Sequence, residues 1–303
     1  MRVKALSAAA LLLVMLAAWL VHRRPRERDP SFDARVDSPA FRGDGPVVLF
    51  DEGHRNAHEA DGAYAPFVEL LRNDGCRVRA HRLGLSRDAL RGVSLLVVAG
   101  ARGSNDANDA PAFTDGEADA AERWVREGGA LLLVTDHWPF GSAAGSLAAR
   151  FGVAMGKGLV EDAARCDPER GASHLVFSDS NGLLADHAIV RGRGGSERVR
   201  RVLTFTGQSV AGPSGSVALL RLSDSAVEWQ AAAPRVTRNG GDVRVDMEYG
   251  AALPAKGRAQ VVALEAGRGR VVVLGDAGML CARRERGGVR VGMNAPGYDE
   301  CRR

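Results

Sequence analysis

The sequence predicts an α/β protein with a mostly parallel sheet flanked by helices and a C-terminal β-hairpin. Three observations carry this. The apolar runs at 47–50, 93–99 and 130–135 are too short for core helices and show no polar alternation, as strands buried on both faces require. Stretches with helical spacing separate them, and strand–helix–strand alternation implies right-handed crossovers in a parallel sheet. Near the end, "RAQVVALEAGRGRVVVLGDAGML" reads as strands at 259–265 and 270–274 around a Gly-Arg-Gly turn.

Taken in order, the strand at 47–50 is followed by a helix for which Asp61 is the expected cap. Tyr64, Phe67, Val68 and Leu71 form its apolar face, and Gly75 ends it. Residues 76–82 alternate as an edge strand, and 93–99 form the next buried one. Thr114 and Glu117 make a T-x-x-E capping box for a helix burying Ala118, Ala121, Trp124 and Val125, stopped at Gly128-Gly129. The strand at 130–135 runs into Asp136-His137, and a short helix is expected over 142–150. The second half is less regular, with strands expected at 201–209 and 216–222 before the hairpin.

The chain has 303 residues, 45% of them hydrophobic and 26% charged, enough for a real core. Only three of its 41 basic residues are Lys, and the net charge is +4. The Arg residues are scattered among acids with no aromatic-interleaved basic stripe, which argues against nucleic-acid binding. The apolar run at 5–21, preceded by Arg2 and Lys4, reads as a signal anchor or single transmembrane segment, because no A-x-A cleavage site follows it. Arg23, Arg24, Arg26 and Arg28 would hold the following domain in the cytoplasm, whereas the very short N-terminal tail favours export. The expectation taken forward is a membrane-anchored protein with an extracytoplasmic, periplasmic domain. Residues 22–45 read as a flexible linker and 46–303 as the domain. Its C-terminus reads as clipped, with an apolar strip expected beside the last strands. Cys76, Cys166, Cys281 and Cys301 form no C-x-x-C pair, and any disulfide partners cannot be read from spacing.

Three of these strands end in titratable groups: Asp51-Glu52-x-His54, Asp136-His137 and Asp276. In an open α/β sheet, ligands bind outside the carboxyl ends of the strands, so these groups fall on the functional edge. Glu52, His54, Asp136 and His137 are the candidate catalytic residues, since converging carboxylates and imidazoles suit general acid–base chemistry. Asp51, His54, His58 and Asp276 are the candidate ligands for a divalent metal. Gly53 would let the backbone turn and lift His54 towards the cleft, with His58 at its rim. The plainer alternative is that strand-end acids cap helices and histidines bond to backbone. No HExxH spacing fixes two ligands on one helix face. Thr204–Ser209 ("TFTGQS") could line the same edge, His187 in "DHAI" reads as structural before a buried Ile189, and Asn294 lies in a turn within reach of a ligand.

A nucleotide cradle is disfavoured, because no P-loop Lys or GxGxxG precedes a helix. The strand end "LLLVTDHWPFG" carries neither the Ser of a G-x-S-x-G elbow nor a Cys. Yet the order "VVLFDEGHRN", "YAPFVELLRNDG", "LLVVAG", "FTDGEADAAERWVREGGALLLVTDH", "DHAI", "TFTGQS", "GRGRVVVLGDAGML" resembles the class I glutamine-amidotransferase-like superfamily over about residues 46 to 298. The match is nearest to an uncharacterised, often membrane-tethered branch with a DEGH first loop, and more distant to ThuA-like proteins. The resemblance implies the flavodoxin-like sheet but not amidotransferase activity, because the nucleophilic Cys is absent. Three readings stay open: a hydrolase-like small-molecule enzyme, metal-assisted or not; a non-catalytic ligand-binding module; and a scaffold subunit of a membrane, transport-type complex.

Overall fold

The computed structural model describes residues 28–103, 110–138, 141–232, 235–239, 242–246 and 248–299. The apolar run at 5–21 and Cys301 lie outside them. Among the described residues no helix is long and apolar enough to cross a membrane, and Cys76, Cys166 and Cys281 are thiols.

The first half alternates as its pattern dictates: β1 (Val47–Asp51), α1 (Ala65–Asn73), β2 (Arg77–His81), β3 (Leu95–Ala99), α2 (Asp115–Arg126), β4 (Ala130–Val134) and α3 (Gly145–Ala149). Then come β5 (Ala154–Met155), β6 (Leu159–Glu161), β7 (Val176–Ser178), α4 (Ala188–Arg191), β8 (Arg201–Leu203), β9 (Val210–Ala211), β10 (Val217–Arg221) and β11 (Val227–Ala231). The chain continues through β12 (Arg235–Asn239), β13 (Asp242–Asp246), β14 (Tyr249–Pro254), β15 (Ala259–Ala266), β16 (Gly269–Leu274), β17 (Ala282–Arg284) and β18 (Arg290–Gly292).

The main sheet is mixed, in the order β2-β1-β3-β4-β16-β15-β9-β5, with β10 also paired to β15. From β2 to β16 every pairing is parallel. The hairpin then reverses, with Ala266 opposite Gly269. Adjacent residues of one strand enter opposite cores. Phe50 joins Tyr64, Val68 and Leu274 on one face, whereas Leu49 joins Ala121, Val125 and Val273 on the other. This two-sided burial is why these strands have no polar alternation. α1 packs on the first face, and α2 and α3 on the second. The parallel run sends the C-terminal ends of β1, β3, β4 and β16 to one edge.

Several expectations change. α1 starts at Ala65 behind Tyr64, without a side-chain cap, because Pro66 in its first turn already has the helical φ. Asp61 therefore does not cap it. The expected strand at 201–209 is broken, since Thr206 takes a left-handed φ of 71° before β9 resumes at Val210. The linker reading of 22–45 fails from Arg28 onward. Asp29, 1% exposed, accepts hydrogen bonds from Arg284 and Asn294. Ala34 is buried, and its carbonyl accepts from Asn73. Residues 28–45 are thus a strap held by side-chain bonds that composition does not reveal. The strip beside the last strands is roofed by the chain's own 183–203 segment, with Leu183, Leu184, Val190 and Val202 buried on it. Three-stranded β14-β11-β6 and the pairs β12-β13, β17-β18 and β7-β8 stand outside the main sheet.

Candidate functional site

The strand-end groups sort into two assemblies. The first follows β1. His54 Nδ1 lies 2.9 Å from both carboxylate oxygens of Asp51, and its Nε2 is 3.2 Å from Glu117 Oε1. Asn56 donates to Asp51 at 3.0 Å, and the His54 ring packs on Phe113 with centroids 4.2 Å apart. Both partners of His54 are carboxylate side chains, so each ring nitrogen faces an acceptor, an arrangement that favours the imidazolium. Burial alone would lower its pKa, but the hydrogen bonds and charges of Asp51 and Glu117 win and raise it. Burial alone would raise the Glu117 pKa, yet bonds from Thr114 and the His54 charge lower it. Glu117 is also the N3 residue of the capping box, accepting from the Thr114 hydroxyl and N–H.

Gly53 is required here for closeness and not for a left-handed turn: a Cβ would lie 2.4 Å from the Leu83 carbonyl oxygen. Glu52 does not share the His54 environment. Its carboxylate accepts from the Ala60 N–H at 2.9 Å and from Arg82 at 3.0 Å, and its side chain is 2% exposed. It ties the loop after β1 to β2's end.

The second assembly lies at the ends of β4 and β16. Asp136 and Asp276 leave neighbouring parallel strands, and the charge of Asp276 raises the proton affinity of Asp136. Burial, then the charge of Asp276, holds the Asp136 pKa well above the ordinary aspartate value. Burial pushes Asp276 up to about 6, against lowering by backbone N–H groups of Phe205, Met279 and Gly278 and by the Arg283 charge. Asp276 is fully buried, whereas the Asp136 side chain is 16% exposed. Asp136 is therefore the acid that solvent or a ligand can reach.

His137 stands beside it, with Nε2 3.8 Å from Asp136 Oδ1. Its Nδ1 is 2.8 Å from the Trp138 carbonyl, which can only accept, so Nδ1 carries the proton and Nε2 is the acceptor nitrogen. Burial lowers its pKa, keeping the imidazole neutral at neutral pH. The Tyr249 hydroxyl lies 3.3 Å from Nδ1. Gln208, fully buried, donates to Thr135 Oγ1 and to the Asp136 carbonyl, as the "TFTGQS" reading anticipates. Tyr64 was legible only as a core residue of α1. Its hydroxyl donates to the Ala277 carbonyl at 2.7 Å, and burial raises its pKa well above normal. His58 stacks on the Tyr64 ring with centroids 4.6 Å apart, and so adjoins this assembly rather than His54.

The structure thus joins Asp51 to His54, and joins Asp136, His137 and Asp276, but separates Glu52 and His54 from the second group. The candidate metal ligands Asp51, His54, His58 and Asp276 are divided between the two, and among the described residues no group of three or more His, Cys, Asp or Glu side chains is arranged to hold a metal. Asn294 is bound to Asp29 instead of facing the edge. His187 caps α4 by accepting from the Ile189 N–H, but Ile189 is 54% exposed, not buried. Among the described residues, the non-glycine positions with positive φ, Arg55, Lys157 and Thr206, all adjoin this edge. Arg55 lies in the loop after β1, Lys157 N–H donates to Gln208, and Thr206 sits two residues before Gln208. Such strain concentrates at functional sites.

No family model and no curated protein matches the sequence. Among solved structures, the fold is similar to the N-terminal domain of mmIFT52, with a TM-score of 0.55 and 15% identity over 77% of this chain and 88% of that one. A cytoplasmic protein from Salmonella typhimurium scores 0.48 at 13% identity, covering 84% and 95%. A ThuA-like protein from Bacteroides uniformis scores 0.37 at 13% identity, covering 82% and 86%. At such identities the likeness to mmIFT52 is one of fold alone.

Proposed function

We propose that this chain is a glutamine-amidotransferase-like domain, tethered to a membrane through residues 5–21, that hydrolyses a small molecule at the ends of β4 and β16. The observation that carries the reading is the pairing of an acid and a base whose proton affinities their surroundings push in opposite directions. Asp136 retains a proton at pH values where an aspartate normally loses it, while the adjacent His137 stays neutral. His137 Nε2 would take a proton from a water as that water attacks the substrate, and Asp136 would give its proton to the leaving group. Asp276 and Arg283 are positioning groups that set the proton affinity of Asp136.

The signs give a bell. Activity rises with pH as His137 deprotonates, below the ordinary 6.5, and falls as Asp136 ionises above its ordinary 3.8. The test is a panel of esters, amides and glycosides offered to the full chain, with Asp136→Asn and His137→Gln as controls. Turnover with that bell, lost in both variants, is expected. Hydrolysis that persists in Asp136→Asn would rule the reading out.

A non-catalytic binding or scaffold module of a membrane complex is the second reading. It draws on the strand end after β4, which carries neither Ser nor Cys. Ligand-induced stabilisation without turnover of any panel member would favour it.

A further inference from the structure

The sheet face formed by β4, β16, β15 and β10 has no long helix over it. The 183–203 segment covers it, including α4, a helix of four residues that ends at Gly192 with a φ of 64°. Beneath this cover lies a groove of about 260 Å³, lined among others by Leu132, Leu184, Val202, Val261, Val272 and Met279. Every lining residue is Leu, Ile, Val or Met. Ile189 and Val272 also line a second cavity of about 740 Å³, so the two compartments adjoin at these residues. The larger one adds polar side chains that the smaller lacks, with His187, Ser214, Ser216, Glu265 and Arg270 among its walls. Neither compartment includes Asp136, His137 or Asp276.

An apolar chamber adjoining a larger trough that carries polar side chains fits a molecule divided in the same way. The donors in the trough define its head. The Ile189 N–H donates to His187 Nδ1, which places the ring N–H at Nε2, a donor for an acceptor in the trough. Arg270 adds a charged fork suited to a carboxylate. Glu265 lies directly opposite Arg270 in the hairpin register, which keeps the trough from being strongly basic. Such a lining suits one carboxylate better than a phosphate dianion. We infer that these two compartments bind a medium-chain fatty acid, its acyl chain in the groove and its carboxylate between His187 and Arg270. Sites of this kind are mostly apolar with a few placed polar groups.

The test uses the full chain in phospholipid nanodiscs with a diazirine-bearing decanoic acid, photolysed and mapped by mass spectrometry. Labelling of peptides spanning 184–199 and 269–280, competed by plain decanoate, is expected. Ile189→Glu places a charge where the two compartments adjoin, at an exposed position, so its fold is expected to persist, as thermal unfolding would verify. Groove labelling should then fall by about tenfold or more. Arg270→Gln should weaken competition by decanoate but not by decane. Label confined to 5–21, groove labelling unchanged in Ile189→Glu, decane competing as well as decanoate, or cross-links between two copies closing the groove would each overturn the assignment.

Discussion

The ends of β1 and of β4/β16 offer the same chemical types, carboxylate and imidazole, on the same sheet edge, yet they have opposite characters. After β1, every strong group is matched: His54 lies between Asp51 and Glu117, and Glu52 between the Ala60 N–H and Arg82. Opposite charges there attract, and the cluster fastens a loop to α2. After β4, two like-charged groups are forced together by adjacent parallel strands. Asp276 is held by backbone N–H groups, and Asp136 can lower the repulsion only by keeping a proton. Residue types therefore do not distinguish a fastener from a reactive site. The distinguishing feature is whether the surroundings neutralise the charge or leave a proton to be moved.

Removing the reactive acid should break this comparison most sharply. Asp136→Asn should reduce turnover about 10³-fold, within the range for a general acid. Stability at neutral pH should hold or rise, because the folded pKa of Asp136 is raised. The wild-type group favours folding below its ordinary 3.8 and loses that contribution as pH climbs through the folded value. Thermal unfolding across pH would show the wild-type decline and a flatter profile in the variant.

His54→Ala should do the reverse. Leaving the buried Asp51 without its cation should cost about 3 kcal/mol by chemical denaturation, with turnover per folded molecule retained. His54's contribution is complete below pH 6.5 and lost as pH rises through its elevated folded value, so only the wild type should lose this contribution on the alkaline side. Thr114→Ala, which removes the cap and one anchor of Glu117, should cost about 1 kcal/mol. Glu52→Gln should cost still less, about 0.5 kcal/mol, since one acceptor for the Ala60 N–H remains, and should leave turnover unchanged. A collapse of activity in Glu52→Gln would erase the distinction between the two strand ends.

The parallel half was legible because its signals are local. An unbroken apolar run marks a two-face strand, T-x-x-E marks the start of α2, and Gly-Arg-Gly marks the hairpin turn. The placement of Asp136 and Asp276 on one edge followed from reading their strands as parallel. What stayed hidden depends on distant partners. Glu117 caps a helix and clamps His54, 63 residues away. Tyr64 reads as apolar helix face, and its hydroxyl partner is 213 residues on. Between 159 and 231, strands of two to five residues pair with distant ones, as β6 does with β11, and so leave little periodicity to read.

Carboxyl-carbon NMR titration of Asp136, Asp276 and Glu117 in one sample tests the contrast most directly. The account predicts that both aspartates titrate above the ordinary aspartate value of 3.8, Asp276 at about 6, while Glu117 titrates below its ordinary 4.5. Asp136 and Asp276 both losing their protons near 3.8 would show that no proton is stored at the ends of β4 and β16, and would contradict it.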